Sequence, residues 1–253
     1  MIDVKRARIL ITNDDGIDAP GIAVLERVAK SLSDDVWVIA PASEQSAVSR
    51  ALTVRRSLRI QERGERRFSV DGTPTDSVFM AIHEVMADRP PDLVLSGINN
   101  GGNLAEDVYY SGTVAAAMEG AALGVPAIAL SQRFAPGGSV RWETAEKWTA
   151  AIILKLCGIE WKAGLVLSVN FPDVPALDVK GIACARLGRR TAGITYKKCA
   201  DDGFRIGADR GPEDGVEGDD LFAVRRGFVA VTPLKLDCTD YDFLERLRLH
   251  DGE

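Results

Sequence analysis

The chain has 253 residues, 46% of them hydrophobic and 27% charged, which suits a folded domain with an ample core rather than a disordered chain. Its formal net charge of −6 excludes a protein that wraps duplex nucleic acid with a broad basic face. No run reaches the roughly 18 apolar residues of a membrane span, charges at Asp3, Lys5, Arg6 and Arg8 interrupt any leader-like stretch, and the four separated cysteines (Cys157, Cys184, Cys199 and Cys238) form no CxxC zinc pair, so a reduced, cytoplasmic protein is expected.

Arg8 to Thr12 (RILIT) predicts a buried strand. Gly21 to Ser33 predicts an amphipathic helix, because Ile22, Leu25, Val28, Ala29 and Leu32 recur at helical spacing. Val36 to Ala40 (VWVIA) predicts a second strand, parallel to the first through a right-handed crossover. Residues 51 to 71 carry two basic-interrupted runs around Gly64, read as an antiparallel excursion from the main sheet. Further along come a helix over Thr75 to Met86, a strand over Leu93 to Ser96 and a helix over Gly112 to Leu123. A strand over Ala127 to Ser131, a helix over Trp142 to Leu156 and a strand over Val166 to Phe171 follow.

This alternation predicts an α/β fold, a Rossmann-like doubly wound and mostly parallel sheet. Such sheets bind ligands beyond the carboxyl ends of their strands. The last third is less regular. Gly181 to Arg186 and Gly227 to Pro233 read as strands, and Tyr241 to Leu249 as a short helix. Between them Asp201 to Asp220 has no apolar periodicity and reads by default as a solvated connection.

Five polar segments, four of them containing glycine, carry the chemistry. Asn13-Asp14-Asp15-Gly16 follows the first strand, and two adjacent carboxylates there repel each other unless a cation or donors neutralise them. Hard divalent cations such as Mg²⁺ take oxygen ligands of this kind. Pro41-Ala42-Ser43-Glu44-Gln45-Ser46 brings hydroxyls to the same edge, and Asp71-Gly72-Thr73-Pro74-Thr75-Asp76 adds more before a helix. Ser96-Gly97-Ile98-Asn99-Asn100-Gly101-Gly102-Asn103 offers neutral oxygen ligands. Tyr110-Ser111-Gly112-Thr113 opens a helix whose free amides suit a phosphate. Each segment alone is also explained by an ordinary turn or helix cap. On one rim they combine metal ligands with an anion seat, which points to a phosphoryl group held against a divalent cation.

Other chemistries fail on spacing. The EF-hand, P-loop and dinucleotide patterns are missing, as is a DxDxT nucleophile. The two histidines, His83 and His250, lie outside these segments, which argues against a Ser-His-Asp hydrolase.

The runs NDDGIDAPGI, PASEQSA, DGTPTDSV, SGINNGGN and YSGTVAAAMEG, in that order, closely resemble the SurE family of survival-protein phosphatases, the 5'/3'-nucleotidases. The ending GFVAVTPL followed by a short helix is similar too, while Gly102 stands where the family's loop usually carries proline. The resemblance implies a Rossmann-like catalytic domain over residues 1–180. It also implies a C-terminal extension over 181–253 whose hairpin and helix exchange between subunits, giving a homodimer or homotetramer. One divalent cation per subunit, Mg²⁺ or Mn²⁺, would be held by Asp14, Asp15, Ser46 and Asn99. The phosphate of a nucleoside monophosphate would sit on Ser111, Gly112 and Thr113, with Asn13, Gly72 and Thr73 nearby. Asp14, Asp15 and Asn99 would carry catalysis. A phosphatase for sugar phosphates or polyphosphate, and a non-catalytic nucleotide sensor, are the alternatives.

Overall fold

The computed structural model describes residues 1–135, 137–190, 195–207 and 215–250. Eleven strands are β1 (Arg8–Thr12), β2 (Asp35–Pro41), β3 (Ile60–Gly64), β4 (Arg67–Val70), β5 (Leu93–Asn100), β6 (Ala127–Gln132), β7 (Leu165–Phe171), β8 (Ile182–Cys184), β9 (Tyr196–Lys198), β10 (Phe204–Ile206) and β11 (Val229–Lys235). Six α-helices are α1 (Pro20–Lys30), α2 (Pro74–Met80), α3 (Gly112–Ala122), α4 (Trp142–Cys157), α5 (Asp220–Arg225) and α6 (Tyr241–His250).

Nine strands form one sheet in the order β3-β4-β2-β1-β5-β6-β7-β11-β8. From β4 to β7 every pairing is parallel. Numbered among themselves in chain order, these six strands run 3-2-1-4-5-6, the doubly wound arrangement. Its order reverses between β1 and β5, and a crevice opens there above the carboxyl ends of both strands.

The alternation of side chains along β1 divides the core. Ile9 and Ile11 pack with Ile22 and Leu25 of α1 and Ile152 and Ile153 of α4. Leu10 faces the other way, with Val78 of α2 and Val114 and Ala117 of α3. Both sheet faces are covered, so β1 is buried at all five positions and reads as a continuous apolar run. Each fully buried Ile or Leu contributes about 1.5–3 kcal/mol.

Several sequence expectations need correction. The 51–71 excursion is antiparallel only between β3 and β4, because β4 pairs in parallel with β2 and extends the main sheet. Residues 51–59 lie outside any strand: Leu52 and Val54 are exposed, with no neighbouring strand to reward pairing. The helix expected over Thr75 to Met86 begins at Pro74 and gives way after Met80 to a π turn, Ala81–Val85. β5 runs four residues past Ser96, with a register shift against β6 between Ser96 and Asn99, so Asn99 and Asn100 stand on a strand end rather than in a loop.

The stretch Asp201 to Asp220 is also more ordered than a solvated connection, although 208–214 lie outside the described residues. β10 pairs with β9, and Asp219 caps α5 by accepting from the Phe222 amide at 2.8 Å. β11 inserts antiparallel beside β7 and carries β8 on its far side. No helix among the described residues is long and apolar enough to cross a membrane.

Candidate functional site

The crevice between β1 and β5 is built first from the turn that leaves β1. Gly16 adopts φ +100°, a left-handed value that favours glycine, and the Asn13 side-chain amide closes the turn on its carbonyl at 2.8 Å. Asn13 Oδ1 is buried and has no hydrogen-bond partner. The loop after β2 is sewn to this turn: the Ile17 amide donates to the Pro41 carbonyl at 2.8 Å, and the Gln45 amide to the Asp14 carbonyl at 2.7 Å.

Asp14 is almost completely buried, at 4% exposure. The Thr113 hydroxyl donates to its Oδ1. Burial, the largest influence, pushes its pKa up to about 6; the Thr113 hydroxyl opposes that rise, and the Asp15 charge adds to it. Asp15 accepts from the Asn100 amide through Oδ2 at 2.9 Å. Its pKa is also raised, by burial first and by the charge of Glu44, while the Asn100 amide opposes. Burial and mutual repulsion thus leave two neighbouring carboxylates short of positive charge.

α3 begins directly above this pair. Ser111 is its N-cap, with Oγ accepting from the Val114 amide at 3.0 Å, so its own hydroxyl hydrogen remains available. A Cβ on Gly112 would lie 2.7 Å from Asp14 Cβ and 3.0 Å from Pro74 Cγ. Only glycine admits so close an approach of helix, acid and the turn before α2.

The remaining expected residues fall at graded distance from this centre. Asn99 donates from Nδ2 to the Gly101 carbonyl at 2.8 Å, which leaves its Oδ1 as an uncommitted acceptor. Ser46 is exposed and donates to Glu44 Oε1 at 2.8 Å. The Thr73 hydroxyl is spent away from the centre: it donates to the Ala51 carbonyl at 2.7 Å, in the segment before β3, and accepts from the Asp76 amide at 3.0 Å in its own helix cap. The Thr73 amide is held by Asp76 Oδ2 at 2.8 Å, and Pro74 packs beside Gly112 at the start of α3. Thr113, expected on the phosphate, has its hydroxyl committed to Asp14.

Two residues inside the singled-out segments make contacts that their spacing does not announce. Glu44 faces both Asp15 and Ser46, and a carboxylate inside an ordinary polar loop gives no warning of that. Asp76 is buried and receives the amide and hydroxyl of Thr53 at 2.9 and 2.6 Å, which fastens the 51–54 segment to α2. Among the described residues no three His, Cys, Asp or Glu side chains converge as metal ligands, so a cation held here also needs amide and hydroxyl oxygens.

An acidic pair at the switch point of a doubly wound sheet, facing a helix start capped by Ser111, defines a class: doubly wound α/β proteins with their polar crevice at the carboxyl end of the sheet. Within it the chain belongs to the SurE family, whose description, Survival protein SurE, matches residues 9–193. The chain is 50% identical over 249 residues to a protein named 5'-nucleotidase SurE from Paramagnetospirillum magneticum, covering 97% of this chain and 96% of that one. It is 50% identical over 254 residues to the protein of the same name from Rhodospirillum rubrum, covering 98% and 97%. The crystal structure of SurE protein from Aquifex aeolicus superimposes with a TM-score of 0.86 at 35% identity, over 96% of this chain and 99% of the other.

Proposed function

We propose that the chain is a 5'-nucleotidase that hydrolyses the phosphate monoester of nucleoside monophosphates with the help of one divalent cation per subunit. The observation that carries this reading is the undercompensated pair of buried Asp14 and half-buried Asp15, against the start of α3. The names of its relatives support the enzyme class.

The donor set fits a hard cation. Asp14 keeps Oδ2 and Asp15 keeps Oδ1 outside their hydrogen bonds, and Asn99 Oδ1 is uncommitted. Asp14, Asp15 and Asn99, with Ser46 on the adjacent loop, would hold Mg²⁺ or Mn²⁺, which supplies Lewis acidity to the phosphoryl group and lowers the pKa of the attacking water. Ser111 donates its hydroxyl to a phosphate oxygen, and the Gly112 amide at the helix start donates to another. Thr113 acts through Asp14, which it orients. A carboxylate oxygen of Asp14 or Asp15 takes the proton that the attacking water gives up, and no covalent enzyme intermediate is needed.

Assembly as a homodimer or homotetramer is part of the same proposal. It is supported by exposed Tyr196, Phe204 and Ile206 on the β9–β10 hairpin and exposed Phe243, Leu247 and Leu249 on α6. A cytoplasmic location accords with four free thiols.

The test is phosphate release from a panel of 5'- and 3'-nucleoside monophosphates with Mg²⁺, Mn²⁺ or EDTA. Metal-dependent release that EDTA abolishes is expected. Folded protein that releases no phosphate from any member with either metal overturns the proposal.

A further inference from the structure

Beside the acidic pair, on the α1 side, a cavity of about 350 Å³ opens between the first turn of α1, the loop after β2 and Trp142. That volume is in the range of small-ligand sites, which begin near roughly 300 Å³. Asp15 belongs both to the acidic pair and to the wall of this cavity, so a ligand in it meets the reacting centre at one end.

Three features suit the wall to a nucleoside. The first is Trp142, half-buried at the start of α4 and packed against the first turn of α1. The chain has four tryptophans. Trp37, Trp148 and Trp161 donate their indole N–H to Asp35, Ala176 and Leu156 at 2.8, 3.0 and 3.2 Å. Trp142 donates to no group among the described residues, although a packed tryptophan usually finds an acceptor. The second is Asn100: its backbone amide is committed to Asp15, but its side-chain amide, which carries both donors and an acceptor, has no hydrogen-bond partner among the described residues. The third is the rim of Asp15, Asp18 and Glu44, whose carboxylate oxygens accept hydroxyl donors; Asp18 is also paired with Arg63 at 3.2 Å.

We propose that this cavity receives the nucleoside of the substrate, its base against Trp142 and Asn100 and its ribose hydroxyls donating to Asp18 and Glu44. The proposal rests on the nucleotidase reading and deepens it. The phosphate lies toward Ser111 and Gly112, and the nucleoside extends the opposite way across Asp15.

The test compares adenosine 5'-monophosphate with ribose 5-phosphate, which lacks the base, on wild type and Trp142→Ala. The ratio of their kcat/KM values is expected to fall at least tenfold in the variant. An unchanged ratio overturns the proposal, because a merely structural role for Trp142 slows both substrates alike. Trp142→Phe conserves most of the core volume and keeps a folded reference. Adenosine is expected to quench the tryptophan fluorescence of the wild type and not that of Trp142→Phe. Quenching that persists in this variant, or is missing from the wild type, overturns the assignment. Wild type that quenches with adenosine yet releases no phosphate from any monophosphate instead defeats the nucleotidase reading alone.

Discussion

The chemistry of the site concentrates at Asp14. Its folded pKa is raised from 3.8 to about 6, so the folded protein binds this proton more tightly than the unfolded chain. The associated stability is complete below pH 3.8 and is lost as pH rises through about 6. A rise of that size corresponds to about 3 kcal/mol. Asp14→Asn keeps the shape and an acceptor for Thr113 but carries no charge. In EDTA at pH 7.5 it is therefore expected to exceed wild type in stability by up to about 3 kcal/mol, and the gap should close toward pH 4, as urea unfolding at the two pH values would reveal. Mg²⁺ at pH 7.5 is expected to raise the melting temperature of wild type and not of Asp14→Asn, since a ligand stabilises only the state that binds it. The same substitution is expected to lower phosphate release at least 100-fold. A variant that retains most of its turnover would remove Asp14 from the centre.

At the level of elements, α3 contrasts two glycines on one helix. Alanine is favoured over glycine inside a helix by up to about 1 kcal/mol, so propensity alone predicts that either substitution stabilises. Sterics decide otherwise. At Gly112 the new methyl meets Asp14 at 2.7 Å, and at Gly120 it meets Val94 Cγ2 at 2.8 Å. Each clash costs roughly 1–3 kcal/mol, which outweighs the propensity gain. Gly112→Ala displaces the acid and is expected to lower both stability and kcat/KM, the latter at least tenfold. Gly120→Ala presses on β5 away from the acids and is expected to lower the melting temperature while folded protein keeps its kcat; thermal melts beside steady-state kinetics separate the two. These elements were also where the sequence was most legible. Short apolar runs located β1, β2 and β7, and helical spacing located α1, to within a few residues, because elements buried against the sheet must be apolar on their inward faces; α3 and α4 were placed as closely. β3 and β4 were misjudged because exposed arginines on an edge hairpin carry no signal about which strand they join. The end of β5 was missed because glycine and asparagine read as loop when nothing local reveals a neighbouring strand. The acids, the helix start and their common rim were legible as spacing. That Thr113 serves Asp14 and Thr73 serves its own cap was not, since hydroxyl partners are set by tertiary approach.

Over the whole molecule the C-terminal third is tied to the turn before α3 by Arg190, which donates to the Leu104 carbonyl at 3.0 Å and to Asp107 Oδ2 at 2.7 Å, and by one buried carboxylate. The exposed apolar side chains of the hairpin and α6 predict self-association, and light scattering on the eluting protein is expected to give the mass of two or four chains; a monomer at micromolar concentration would refute that. Asp220 is that carboxylate. It is fully buried, and its Oδ1 accepts from the Gly188 and Leu221 amides while its Oδ2 accepts from the Ala105 amide, all at 2.8 Å. Burial lifts its pKa although three amides oppose. Ala105 opens the turn that runs through Tyr109 into Ser111, so Oδ2 faces the seat side and Oδ1 the C-terminal side. The two oxygens allow the functions to be separated. Asp220→Asn with its oxygen toward Gly188 and Leu221 sets an NH₂ against the Ala105 N–H, donor against donor, and leaves the C-terminal bonds intact. Asp220→Ala leaves all three amides buried and unpaired, at about 1–3 kcal/mol each. Denaturant unfolding is expected to give a loss of at least about 3 kcal/mol for Asp220→Ala and roughly 1–3 kcal/mol for Asp220→Asn. Kinetics should nevertheless find both variants weakened in kcat/KM, because each frees the turn that carries Ser111. If Asp220→Asn loses stability but hydrolyses like wild type, the Ala105 tie is structural only, and the start of α3 is held in register by its own cap and by Thr113.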